Sequence, residues 1–222
     1  MPREEYQERL DELRDDVVRM GNVVSTRLQK TIAALETYDQ SIATRIAETD
    51  HEINELYLDL EQDCIDLFAL QQPVAGDLRF IAASFKIITD LERIADLAAN
   101  LAASIRSAET GLFSEIAISD LAEITVEMLD DAIAAYAKDD AEACFAVAER
   151  DEDLDGRCER AAQQIIRTLV DETPSNDELE LLLESVTSVL LTIRDLERIG
   201  DHAVNIAART LYMVENDDAL IY

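Results

Sequence analysis

Three oxygen-bearing side chains, Glu92, Asp96 and Asn100, follow one another at four-residue steps, and the same spacing returns at Glu197, Asp201 and Asn205. On a helix of 3.6 residues per turn this spacing sets each trio in one slowly drifting row. The surroundings repeat as well, as Asp90-Leu91-Glu92-Arg93-Ile94-Ala95-Asp96 in the first copy and Asp195-Leu196-Glu197-Arg198-Ile199-Gly200-Asp201 in the second. The preceding helix of each half adds Asp50 with Asn54 and Asp151 with Asp155, again at i and i+4 and at matching places. If adjacent antiparallel helices bring these rows face to face, the result is an all-oxygen donor set. Such a set suits hard divalent cations such as Mg, Mn, Ca or Fe, and suits Cu poorly.

The default for an acid among 49 Asp and Glu is a solvated helix face, so the rows have to be argued on physics. Glu92 and Asp96 repel each other at i and i+4, and no Lys or Arg lies three or four residues from Glu92, which implies a counter-cation from elsewhere. In the second row Arg194 and Arg198 precede Glu197 and Asp201 by three residues, so local pairing accounts for part of it, at about 0–1 kcal/mol per surface pair. Arg93 and Arg198 read as structural, holding the acids around them by i, i+3 pairing. Ile88 and Ala99 flank the first row and Ile193, Val204 and Leu211 the second, so these carboxylates border an apolar stripe where unpaired charge is penalised.

Other chemistry is thinly represented. His202 has Leu97 as its counterpart, which excludes a ligand role shared by both halves. Glu48-Thr49-Asp50-His51 has the Glu-x-x-His form used in di-iron bundles, but Glu152 stands where a second such histidine belongs. There is no Gly-rich phosphate loop and no Ser or Cys nucleophile placed beside a histidine. Cys64, Cys144 and Cys158 are odd in number, lack CxxC spacing and read as core residues.

The elements that must position these residues are helical throughout. Apolar residues make up 48% of the 222, with only 5 Gly, 3 Pro and no Trp. Tyr6, Leu10, Leu13, Val17, Met20, Val24 and Leu28 recur at three- and four-residue steps, predicting a first helix that ends near Thr37-Tyr38. Asp39 caps a second that stops at Gln71-Gln72-Pro73, and a third runs from Ala75 to about Ala108. The pattern then restarts after Thr110-Gly111. Leu129, Ile133, Asp140, Val147 and Asp151 match Leu28, Ile32, Asp39, Ile46 and Asp50 without a gap. Three long helices with short connections pack as antiparallel neighbours. The expected fold is therefore all-α, a tandem duplication of two antiparallel three-helix bundles spanning residues 1–109 and 110–222. The stretch 216–222 is expected to be loose.

A formal charge of −30 repels nucleic acid and anionic lipid, which disfavours direct binding to either. Spread along the helices, it points to a halophilic protein adapted to a high-salt cytoplasm. No secretory leader and no apolar run long enough to span a bilayer is present, so the expected location is cytoplasmic, without membrane insertion.

Taken together, Gln72-Pro73-Val74-Ala75-Gly76-Asp77-Leu78-Arg79, the first Asp-Leu-Glu-Arg-Ile-Ala-Asp motif and the second-half run Leu196 to Ala207 resemble the PhoU family of phosphate-uptake regulators, over nearly the whole chain. The resemblance implies six helices in two bundles carrying divalent or trivalent metal ions (Fe, Mn, Mg or Zn). By motif, Glu92, Asp96 and Asn100 would serve one site and Glu197, Asp201 and Asn205 the other, with Asp50, Asn54, Asp151 and Asp155 contributed by the neighbouring helices. It further implies a non-enzymatic negative regulator of phosphate uptake, often a homodimer. Such a protein acts through the ATPase subunit of the phosphate ABC transporter and, where present, a phosphate-sensor histidine kinase. Two readings compete with this adaptor: a di-metal carboxylate enzyme enclosing its ions in the bundle core, and a metal-free helical scaffold.

Overall fold

The structure, a computed structural model, describes residues 3–48, 50–70, 74–105, 118–171 and 176–221; the side chains of 47, 48, 50, 70, 171 and 176–178 fall outside that description. Every regular element among the described residues is a helix: α1 (Arg3–Thr37), α2 (Gln40–Glu48), α3 (Asp50–Leu70), α4 (Ala75–Ile105), α5 (Ile118–Lys138), α6 (Ala141–Asp171) and α7 (Asn176–Glu215). The second helix expected from the sequence corresponds to α2 and α3, on either side of residue 49.

The first turn of each half is built the same way. Tyr38 (φ 52°) and Asp139 (φ 54°) both take the left-handed conformation, closing α1 and α5. The next residue then caps the following helix. Asp39 Oδ1 accepts from the backbone N–H of Ser41 (2.9 Å) and Ile42 (3.2 Å), and Asp140 Oδ1 accepts from that of Ala143 (3.0 Å). An Asp that satisfies the free N–H groups of the next helix lets the chain reverse within two residues.

Within the first half α1, α2, α3 and α4 pack on one another, and α7 packs on both α5 and α6 in the second. The halves are also joined, because α1 lies against α5 and α4 against α7. The buried apolar residues form one continuous cluster, running through Met20 and Leu28, Leu91 and Ile94, Met128 and Leu129, Ile199 and Ile206. The four helices α1, α4, α5 and α7 thus make a central layer, with α2 and α3 on one flank and α6 on the other.

Polar ties cross the same seam. Arg14 donates to the Tyr136 carbonyl (2.7 Å) and to Asp139 Oδ1 (2.8 Å) while lying over the Phe80 ring, and the Tyr136 hydroxyl meets Ser84 Oγ at 2.7 Å. All three cysteines are buried and unbridged, as expected of core residues. The expected boundary at Thr110-Gly111, and Pro73, lie outside the described residues. The C-terminal stretch departs from expectation. Asn216 turns the chain with φ 56°, Ala219 N–H is held by Asp217 Oδ1 (2.9 Å), and Leu220 is buried against the core. Burial of Leu220 supplies an anchor that its acidic neighbours conceal in the sequence.

Candidate metal centres on paired helices

Both rows lie where two packed helices meet, the first on α4 against α3 and the second on α7 against α6. Leu91, Ile94, Leu97 and Leu101 of α4 point into the core, as do Leu196, Ile199, Ala203 and Ile206 of α7. That buried stripe fixes the roll of each helix and leaves the acids along its border.

In the first half, Arg93 supplies the expected counter-cation from the next position in the chain. Its guanidinium reaches Glu92 Oε2 (Nε, 3.5 Å) and Asp96 Oδ2 (NH1, 3.5 Å). Tyr57 on α3 adds a hydroxyl at 3.2 Å from Glu61 Oε1, with Glu92 close enough to help raise its pKa after the larger effect of burial. Asn54 is exposed, and the Asp50 side chain lies outside the described residues.

In the second half, Arg198 turns the other way, pairing with Asp195 at 3.7 Å. Among the described residues, Asp155, Glu197 and Asp201 have no Lys or Arg within ion-pair distance. Asp151 Oδ1 is buried without a hydrogen-bond partner. Burial, and after it Asp155, Asp201 and Glu197, push the Asp151 carboxyl up to about 7. Glu197 and Asp201 are raised too, first by burial and then by Asp155. Burial, and after it Glu197, Asp155 and Asp151, push the Cys158 thiol up to about 12, so this site offers oxygen rather than thiolate sulfur.

Gly200 is what admits Asp151. A Cβ there would stand 2.5 Å from Leu154 Cδ2 and 3.1 Å from Asp151 Oδ1. The first half has Ala95 at this position. The difference between Ile-Gly-Asp and Ile-Ala-Asp is the signal in the sequence for a role that spacing alone does not reveal.

The asparagines sit elsewhere. Asn205 Nδ2 donates to Asp90 Oδ1 across the seam (3.4 Å), and His202 Nδ1 meets the same oxygen at 2.8 Å. Asn100 lines a cleft with Asp195, the counterpart position in the other half. The second motif therefore directs its Asn toward the first acid of the other half, while Asn100 shares only a cleft with its counterpart acid. His202 thus joins the halves through Asp90.

As placed, the described His, Cys, Asp and Glu side chains form no group of three poised around a metal position. The second-half donors nonetheless fit a cation chemically: they are all oxygen, mutually repelling, and include one buried oxygen without a partner. The first-half donors fit less well, because Arg93 already supplies positive charge.

The PhoU domain profile matches residues 17–105 and again 118–210, one match over each half. The chain belongs to the PhoU family. A PhoU homolog of Pseudomonas putida, a phosphate-specific transport system accessory protein, is 30% identical over 218 residues, covering 97% of this chain and 82% of that protein. The crystal structure of PhoU from Pseudomonas aeruginosa superposes with a TM-score of 0.86 at 27% identity, over 96% of this chain and 100% of that one. That of the phosphate transport system regulatory protein PhoU from Streptococcus pneumoniae gives 0.85 at 26%, over 96% and 98%. The all-α PhoU fold and the family expected from the motifs are thereby established.

Proposed function

We propose that this chain is a non-enzymatic negative regulator of phosphate uptake and phosphate homeostasis, a metal-binding adaptor that acts in the cytoplasm on the ATPase subunit of a phosphate ABC transporter. Where a phosphate-sensor histidine kinase is present, the adaptor acts on it as well, and the working form is a homodimer. The observation that carries the reading is the match of both halves to the PhoU domain, supported by full-length relatives named as accessory and regulatory proteins of phosphate transport. No described helix is long and apolar enough to cross a membrane.

Asp151, Asp155, Glu197 and Asp201 would hold the principal ion, after side-chain rotation draws them together, and Glu92 and Asp96 with Asp50 would hold another. A bound divalent or trivalent ion would neutralise the facing acids and lock α6 to α7. Deleting the gene should raise phosphate uptake under abundant phosphate. Unchanged uptake would count against the regulatory role. Elemental analysis of protein purified without chelator and equilibrated with Mn, Fe or Mg tests the metal separately, and an empty wild type would sink the site. The adaptation to salt is tested by thermal unfolding, with stability expected to fall as salt is lowered from molar concentration.

A further inference from the structure

The chain has 19 Lys and Arg against 49 Asp and Glu, yet four of the cations face one groove. This groove, a cavity of about 810 Å³ between α1 and the α2–α3 segment, is lined by Arg19, Arg27, Lys30 and Arg45 together with the acids Asp15 and Glu52, the Glu48 and Asp50 side chains falling outside the described residues. Between the charges lie Val18 and Ile42, both half-buried, and Val23, exposed at 38%, with the buried Ile46 and Ile53 below them. Arg27 is buried and donates to the Ile46 carbonyl, tying α2 to α1. Arg19 pairs with Asp16 at 3.1 Å while remaining largely exposed, and Lys30 is exposed.

The duplicate half shows that the basic character is particular to this groove. On the frame that pairs Leu28 with Leu129 and Asp39 with Asp140, Arg19 becomes Asp120, Asn22 becomes Glu123, Thr26 becomes Glu127 and Lys30 becomes Asp131. The same helix face is thus basic in one half and acidic in the other.

We propose that the groove between α1 and the α2–α3 segment docks an acidic, partly apolar helical segment of a partner protein. Three features select that occupant. Arg19 and Lys30 lie eleven residues apart on one helix, about 16 Å, so the positive charge is spread along the groove and matches an extended acidic surface. The apolar side chains between the charges give a phosphodiester chain nothing to bury, whereas an amphipathic helix would cover them with leucine-like side chains while its acids meet the rim. The groove's cations also complement acids at close range, where salt screens the repulsion from the rest of the surface. The proposal is independent of the regulatory reading, since any partner of this chemistry would satisfy it.

The probe is a fluorescein-labelled amphipathic peptide of about 15 residues, roughly 22 Å as a helix. It carries glutamate on one face and leucine on the other. Anisotropy is read with the full chain in the salt that best stabilises it. Saturable binding is expected, weakened roughly tenfold or more by Arg19→Glu/Lys30→Glu and unchanged by Asp120→Lys/Glu123→Lys in the other half. Peptides with glutamine for glutamate or serine for leucine should each bind more weakly than the parent. Unfolding curves check both variants, and Lys30→Gln alone serves as a milder test if the double variant is unstable. Absence of saturable binding, or undiminished binding by the folded Arg19→Glu/Lys30→Glu variant, overturns the proposal. Capture by phosphatidylglycerol vesicles that the same variant abolishes would make the groove a membrane-docking face and overturn it too.

Discussion

Glu92 and Asp96 share the guanidinium of Arg93, whereas the equivalent Arg198 pairs with Asp195 and leaves Glu197 and Asp201 facing Asp151 and Asp155. Two copies of one motif have thus reached different electrostatic states. The first has a guanidinium of its own helix within ion-pair distance of both acids; the second has no Lys or Arg that close among the described residues, and burial raises the cost of its charge. A duplicated motif therefore does not imply two equal sites, because the rotamer of one arginine and the presence of one glycine decide how much positive charge each still requires.

The largest effect should come from removing the second row. Glu197→Ala/Asp201→Ala should weaken Mn²⁺ binding, measured by calorimetry, roughly tenfold or more. Glu92→Ala/Asp96→Ala should have a clearly smaller effect, and equal losses would break the comparison.

Next comes the glycine. Gly200→Ala forces Leu154 and Asp151 aside, at about 1–3 kcal/mol by denaturant unfolding, and should lower metal affinity as well. The reverse exchange in the first half, Ala95→Gly, should leave metal affinity unchanged.

A smaller effect lies in the pH dependence of the metal-free protein. The Asp151 carboxyl titrates at about 7 when folded and near 3.8 when unfolded. Between those values the folded chain keeps a proton that the unfolded chain has released. The stability from this group is therefore present below about 3.8 and lost as pH rises through about 7. Asp151→Asn should flatten that part of the Tm–pH curve, and an unaltered curve would show that Asp151 titrates alike in the folded and unfolded chain.

The smallest contrast concerns the caps. Asp39→Ala and Asp140→Ala should each lower Tm by about 2–4 °C. Asp39→Ala should cost more, because its Oδ1 accepts from the Ser41 N–H and the Ser41 hydroxyl (2.6 Å) besides the Ile42 N–H, whereas Asp140 Oδ1 accepts from the Ala143 N–H. Equal losses would show that the two extra bonds add nothing.

Much of the helical plan was legible in the chain. Apolar steps from Tyr6 to Leu28 mark α1, and Asp39 stands where a cap is needed. The acid rows were legible too, since i, i+4 spacing survives folding into a helix. The roles of Asn205 and His202 were not, because their partner, Asp90, is more than a hundred residues away and is reached only when α7 packs on α4. The counter-cation of Glu92 does not lie at helical spacing, because Arg93 reaches it from the adjacent position. Leu220 is unmarked as an anchor in the sequence, because one apolar contact at the end of an acidic tail has no periodicity to announce it.

By itself the sequence determined which residues are helical, which face each helix buries, that the chain is a duplication, and that both halves belong to one family, because these properties follow from local spacing and repeated motifs. Only the tertiary structure decided that the halves share one core, that Arg93 reaches both acids of its row while Arg198 turns away from its own, and that a groove lined by four cations opens between α1 and the α2–α3 segment. Burial and charge neutralisation depend on which side chains arrive from other helices, and no pattern within a single helix records that.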